Sequence, residues 1–290
     1  MKYVCARGSR QGGRARNEDR VAVAERDSAV LMVLGDGLGG HKGGGIASKT
    51  LCQVATNAFR AVRSPLIQDP SSFLAFVAFQ THQTLKLLGK KLTPPIEPRT
   101  TCVLCLVQNG CAYWAHVGDS RLYHFHRDTL VERTQDDTTV DAFQKRGILN
   151  EAESRAHPEK SHLLACLGGH HEPTVSLSAE TPLKTGDLLL LCSDGVWEAL
   201  EAKELTRALS HPVLESGLAD LLLEAENRRQ EAADNISAVG LRWQDRSATP
   251  MGLAPRARQI TAQTFWDEGQ KLAMNNRLKE LKTPPKPPRS

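Results

Sequence analysis

Residues 29–37, Ala29-Val30-Leu31-Met32-Val33-Leu34-Gly35-Asp36-Gly37, are an apolar run that stops at a Gly-Asp-Gly turn. A run this short, bounded by turn residues, reads as a buried strand and not as a helix. Asp36 therefore stands at a strand end, where a carboxylate can point into a cleft. The same arrangement recurs along the chain. Asp194 in Ser193-Asp194-Gly195 ends the apolar run 187–192, and Asp234-Asn235 precedes the run 236–243. Asp119 lies in Val117-Gly118-Asp119-Ser120-Arg121, and Asn17-Glu18-Asp19 adds two more carboxylates. Carboxylates gathered in one place repel each other, and hard divalent cations are the usual compensation. The pattern marks a candidate oxygen-ligand metal site.

Outward from that strand, apolar residues recur at helical spacing over 46–62 and 71–88, with Pro65 and Pro70 between the two helices. Pro94, Pro95 and Pro98 close the second. Runs 101–107, 111–117 and 121–125 read as three strands, the first two joined by Asn109-Gly110, a strong hairpin signal. A short helix is expected over 137–147, irregular chain over 148–182, and a strand over 187–192. Helices over 200–209 and 213–229 and a strand over 236–243 follow. Strands and helices come in blocks and do not alternate strictly, so the class is α+β with antiparallel sheets.

Composition bounds the function. At 290 residues, 40% hydrophobic and 24% charged, the chain is ordinary globular protein with length for a large core. It has no apolar stretch long enough to span a bilayer, so a soluble, cytoplasmic protein is expected. Seven scattered cysteines suit a reducing compartment. Cys102 and Cys105 share a strand and point to opposite faces, which argues against a metal knuckle. The net charge of +4 is uneven: residues 246–290 carry nine Lys/Arg against three Asp/Glu, leaving 28 Lys/Arg against 30 Asp/Glu in 1–245. The basic balance belongs to the tail and does not make the body a nucleic-acid binder. The division expected is a domain over 1–245 and a separable basic tail over 246–290. One amphipathic helix over 262–281 and a Pro/Lys-rich extended end are the candidate elements of that tail.

If Asp36, Asp194 and Asp234 converge, Asp36 is placed to bridge two ions and Gly37 to add its carbonyl. All-oxygen ligation selects Mg or Mn over Zn. Two such ions acidify a shared water and clamp an in-line displacement. For hydrolysis of a phosphate monoester the barrier to be removed can reach about 29 kcal/mol. A metal-generated nucleophile supplies at most about 12 kcal/mol of it. Positioning and charge neutralisation supply the rest, so a cation is expected nearby. Arg14, five residues before Asp19, can grip two phosphate oxygens at once.

Arg14-x-x-Asn17-Glu18-Asp19, Asp36-Gly37-x-Gly39-Gly40-His41, Thr100-Thr101, Val117-Gly118-Asp119-Ser120-Arg121, Cys192-Ser193-Asp194-Gly195-Val196-Trp197 and Asp234-Asn235-Ile236-Ser237 follow one another as in the protein phosphatase 2C family, which this chain resembles over residues 3–243. Each motif alone is common; the ordered set is specific. The resemblance implies a four-layer αββα sandwich, two central antiparallel sheets flanked by helices, with a dimetal cleft at one end. It implies a metal-dependent serine/threonine phosphatase, in which a hydroxide bridging two Mn2+ or Mg2+ ions attacks phosphorus directly. By motif position Asp36 bridges both ions, Gly37 binds one through its carbonyl, and Asp194 and Asp234 bind the other. Asp119, with Asp194, matches a third, weaker metal position. Glu18 and Asp19 match carboxylates that hold metal-bound waters, and Arg14 matches the phosphate-gripping arginine. The implied partners are phosphorylated proteins, opposite a Ser/Thr kinase, with the enzyme a monomer. The chain further resembles bacterial phosphatases of type VI secretion operons. A non-catalytic phosphoprotein-binding module on the same fold is the alternative.

Several positions depart from the family pattern. Leu38 stands where some members carry a proton-donating His, and Gly45 where an acidic or amide residue is usual. Asp136-Asp137-Thr138 replaces Asp-His-Ser, and the flap-like stretch 147–168 reads Ser161-His162-Leu163-Leu164-Ala165 without the common Asn and Arg. His124 and His126 share a strand face, where a structural role is expected.

Overall fold

Alternation of side chains along the strands decides the layering. In the computed structural model, which describes residues 1–38, 43–138, 150, 153 and 165–269, the order begins β1 (Tyr3–Arg10), β2 (Arg20–Arg26), β3 (Ala29–Gly35), α1 (Gly44–Ala61), α2 (Pro70–Lys91). Next come β4 (Arg99–Thr100), β5 (Cys102–Gln108), β6 (Cys111–Val117), β7 (Arg121–His126) and β8 (Thr129–Arg133). Then follow β9 (Leu167–Gly168), β10 (Thr174–Leu177), β11 (Thr181–Pro182), β12 (Asp187–Cys192), α3 (Asp194–Trp197), α4 (Ala202–Leu209), α5 (Leu214–Arg229), β13 (Ile236–Trp243) and β14 (Arg258–Thr261).

One antiparallel sheet runs β1-β13-β12-β7-β8; the other runs β14-β10-β6-β5-β3-β2, with β11 also on β6. Val30, Met32 and Leu34 of β3 and Val103 and Cys105 of β5 meet Leu189, Leu191, Val239 and Leu241 between the sheets. Their alternates, Leu31, Val33, Cys102 and Leu104, face α1 and α2 through Leu51, Phe59, Leu74 and Phe79. On the far side Leu188 and Leu190 face α4 and α5 through Leu205, Leu209, Leu218 and Leu221. The period-two pattern thus builds three apolar layers and the four-layer αββα sandwich expected. Cys102 and Cys105 do lie on opposite faces, and all seven thiols are free. Among the described residues no helix is long and apolar enough to cross a membrane.

Four readings of the sequence are corrected or left outside. β1 and β2 have no counterpart in the sequence reading, because their alternation is diluted by Arg7, Ser9 and Arg20. The stretch 148–182 is not wholly irregular: β9, β10 and β11 lie within it. The helix expected over 137–147, most of the flap-like stretch and Gly39-Gly40-His41 lie outside the described residues.

The fourth concerns residues 246–269, which belong to the folded body. β14 extends the larger sheet, with Thr174 opposite Thr261 and Val175 opposite Ile260. Ala254 and Ile260 are buried in the helix-side core, and Phe265, in a helical stretch over 262–269, packs on Phe79 at 5.4 Å between centroids. Glu180 fastens the strap that leads there. It accepts from Met251 N at 2.7 Å and Gly252 N at 2.5 Å, while its own N donates to Ala254 O at 2.7 Å. A short edge strand after a loop carries too little periodicity to be read from composition. Residues 270–290 lie outside the described ones.

Candidate metal centre

Antiparallel register carries the aspartates to one end of the sandwich. In the smaller sheet, Cys192 pairs with both Ala238 and Arg121, and Arg10 pairs with Ile236. Asp194, Asp234, Asp119 and the loop after β1 therefore share an edge. In the larger sheet Arg20 pairs with Gly35, which sets Asp19 beside Asp36. Burial raises the Asp36 carboxyl well above the usual range, and the charges of Asp19, Asp194, Asp119 and Asp234 raise it further. Asp194 is likewise raised well above, by burial first and then by Asp119, Asp234 and Asp19. Four strand ends and one loop thus bring the five expected aspartates within each other's field.

Neighbouring elements hold each of them in place. The Asp36 backbone is fixed by Thr100 and Thr101: Thr100 Oγ1 and Thr101 N both donate to Asp36 O at 2.9 Å, and Asp36 N donates to Thr101 Oγ1 at 3.0 Å. These hydroxyls explain the Thr-Thr pair, to which sequence reading gave no role. Gly37 is pressed against the start of α1; a Cβ there would lie 2.4 Å from the Gly44 carbonyl group and 2.7 Å from Glu18 O. Only glycine lets the backbone come that close.

Asp19 is 1% exposed. Its Oδ2 accepts from Ser193 Oγ at 2.8 Å, and Oδ1 has no protein partner. Burial pushes its carboxyl up to about 6, against hydrogen bonds from Ser193, Ser237 and Asp36 that lower it. Asp119 is pushed up to about 7 by burial and by Asp136. Its own carbonyl accepts from Trp197 Nε1 at 3.0 Å. Arg121, next to it in the motif, stacks 3.5 Å over Trp197 and grips Asp136 through two bonds of 2.8 and 2.6 Å. The arginine of that motif is a strut.

Glu18 is the other carboxylate expected to hold water. Its Oε1 accepts from Gly45 N at 3.3 Å, at the N-terminus of α1, whose own N-cap Gly43 has no side chain to serve there. A carboxylate is favoured at that dipole end. Arg14 reaches the cluster directly: its Nη2 donates to Asp234 Oδ2 at 2.6 Å while the side chain stays 60% exposed. Asp234 and, more weakly, Asp194 and Asp36 raise its pKa. Asn235, quoted in a motif but given no role, is 6% exposed, and its side chain makes three hydrogen bonds to the loop that carries Arg14.

The donor set fits hard divalent ions. It is all oxygen, it is charged beyond what local cations offset, and Asp19 Oδ1 and Asp194 Oδ1 are buried without a partner. Among the described residues no three His, Cys, Asp or Glu side chains close into a cage. Mg2+ and similar ions commonly keep several waters. The candidate pair His124 and His126 lies at the other end of β12, bound to Asp187 at 2.9 and 2.5 Å as a structural clasp.

Comparison with known proteins agrees with this geometry. A family model described as Protein phosphatase 2C matches residues 8–230. A serine/threonine phosphatase, Stp, of Listeria innocua is 27% identical over 228 residues, 78% of this chain and 90% of its own. The serine/threonine protein phosphatase PstP of Mycobacterium tuberculosis is 31% identical over 248 residues, 82% of this chain and 44% of its own. A crystal structure of the PstP catalytic domain with two manganese ions superposes with a TM-score of 0.69 at 28% identity, covering 84% of this chain and 99% of that one. PppA, described as a key regulatory component of T6SS in Pseudomonas aeruginosa, superposes at 0.64 with 27% identity, covering 83% and 98%. The chain belongs to the protein phosphatase 2C family.

Proposed function

We propose that this protein is a metal-dependent protein serine/threonine phosphatase whose reaction occupies the acidic end of the sandwich. The observation that carries the reading is the convergence of Asp36, Asp194, Asp119 and Asp19 with Arg14 bonded to Asp234 at their edge. In this reading Asp36, the Gly37 carbonyl, Asp194 and Asp234 hold two Mn2+ or Mg2+ ions. Asp119 with Asp194 offers a third position, and Asp19 and Glu18 orient waters. When bound, such ions neutralise the carboxylates, act as Lewis acids towards a phosphoryl oxygen and acidify water.

The chain's own groups do the rest. Arg14 uses one N–H on Asp234 and has further donors in the same planar fork for phosphate oxygens. Burial pushes the Cys192 thiol up to about 12, so the cysteine nearest Asp194 in sequence offers no thiolate nucleophile, in keeping with direct hydrolysis. Leu38 has no proton to give, which leaves water to protonate the departing alcohol. Substrates are phosphoserine and phosphothreonine proteins made by a Ser/Thr kinase. The likeness to PppA supports a place in secretion control without naming a target.

The test is hydrolysis of para-nitrophenyl phosphate and a phosphothreonine peptide with Mn2+ or Mg2+, comparing wild type with Asp36→Asn and Asp194→Asn. Both variants should lose at least about 100-fold in rate. Unchanged rates in both would end the proposal. Tight metal-independent peptide binding with no phosphate released would point instead to a binding module.

A further inference from the structure

The loop between β1 and β2 presents Arg14 with little packing around it. Its side chain is 60% exposed, so its place depends on how firmly the backbone on either side is held. That backbone is held mainly from one residue. Asn235 Nδ2 donates to Gln11 O at 2.8 Å and to Arg16 O at 2.9 Å, on the two sides of Arg14. Its Oδ1 accepts from Glu18 N at 2.8 Å. Three of the four hydrogen bonds an amide can make thus go to three separate points of one loop. The two donations and the acceptance fix which end of the amide is which. Gly12 and Gly13 let the loop lie flat on the chain before β13: Gly13 N donates to Ala233 O at 3.0 Å, and a Cβ on Gly12 would lie 2.1 Å from Asp234 O. Gln11 Nε2 then donates to Arg14 O at 2.7 Å.

Asn235 also follows Asp234, the carboxylate to which Arg14 bonds. The staple and the acceptor therefore sit on adjacent residues, and the position of Arg14 relative to the cluster is set twice over. We propose that Asn235 is the positioning residue for Arg14: it touches neither phosphate nor metal and acts by holding the arginine loop in register with Asp234. The inference rests on the reading of Arg14 as the phosphate-binding residue. Phosphate-oxygen capture by a two-pronged donor is steep in distance, and a displacement of about 1 Å can cost on the order of 100-fold. Serine or alanine at 235 would leave three backbone groups of the loop to water, and aspartate would set a carboxylate against two carbonyls.

The experiment is a double-mutant cycle on the full chain with Mn2+ present. Inhibition by inorganic phosphate and KM and kcat for para-nitrophenyl phosphate are measured for wild type, Arg14→Ala, Asn235→Ala and the double variant. Asn235→Ala should weaken phosphate about 10-fold or more and raise KM by more than it lowers kcat, whereas the double variant should match Arg14→Ala within about 2-fold. Mn2+ affinity by calorimetry should fall by less than phosphate affinity does in Asn235→Ala, because the Asn235 side chain bonds to backbone groups of the loop and to none of the five aspartate carboxylates. Should alanine prevent folding, Asn235→Asp, which keeps the shape and the acceptor for Glu18 N, takes its place in the cycle. If Arg14→Ala leaves phosphate inhibition unchanged, the reading of Arg14 fails and takes this inference with it. If Arg14→Ala weakens phosphate while the Asn235 effect is absent, or multiplies independently with it, the positioning role alone is overturned.

Discussion

Replacing Asp19 by Asn tests the electrostatic account of the cleft in the metal-free protein. Burial pushes the Asp19 carboxyl up from 3.8 to about 6. The native state therefore holds this proton more tightly than the unfolded chain. Its contribution to stability is fully present below about pH 4 and is lost as pH rises through about 6. A rise of about two units in a carboxyl this buried corresponds to about 3 kcal/mol, roughly half of it lost between pH 5 and 8. Asp19 is also the largest charge acting on Asp36, so its removal relieves Asp36 in the same direction. His82, which burial holds below its ordinary value, works in the opposite direction below about pH 6.5, but it is common to both proteins and cancels in the difference. Urea unfolding of wild type and Asp19→Asn at pH 5, 6, 7 and 8, with chelator, gives that difference directly. The variant should gain on wild type at each step, and saturating Mn2+ should remove the wild-type loss by pairing the ionised carboxylates. A difference constant within about 0.5 kcal/mol across the range would refute the buried-charge argument.

Two further perturbations test the frame around the site. Truncation after residue 245 removes Ala254, Ile260 and Phe265 from the core and should cost at least about 4 kcal/mol by thermal or urea melts; an unchanged melting temperature would refute the packing of 246–269 on the body. Arg121→Lys gives up both the two-bond grip on Asp136 and the stack on Trp197; a loss of about 2–3 kcal/mol is expected, with metal affinity by calorimetry weakened far less than by Asp194→Asn.

Legibility in the sequence tracked burial. β3, β5, β6, β12 and β13 are buried almost end to end, and their apolar runs were read within a residue or two. β8, whose residues are all exposed, and β14, with only Ile260 buried, carry no such run, and pairing partners decide them. At the site, the identity of the aspartates was legible because strand-end Asp-Gly and Asp-Asn turns have a local signature. What held them was not. The Thr100-Thr101 bonds to Asp36 span 64–65 residues, and the Asn235 bond to Glu18 spans 217. No local pattern encodes a partner at that distance. Glu18 illustrates the limit: its motif position suggested the metal's waters, and only the placement of a capless α1 beside it accounts for its bond to Gly45.

The same construction makes the cluster both firm and unfavourable. Asp36, Asp119, Asp194 and Asp234 each adjoin a strand that is buried almost end to end, so none of them can retreat without disturbing the core. Hydroxyls and backbone groups fix the chain around Asp36 and Asp19, yet too few cations stand by to offset five negative groups. Relaxation by local unfolding would expose the inter-sheet core. The folded state therefore meets the cost of their proximity by holding protons on these carboxyls, and an entering positive charge can replace those protons. A divalent ion gains that relief without ordering the ligands first, since the three apolar layers have already fixed them. Arg14, exposed and singly bonded to Asp234, is the only cation among the described residues bonded to the carboxylate of one of the five aspartates, and its reach towards solvent ties the relief of the acidic cluster to the capture of an anionic substrate.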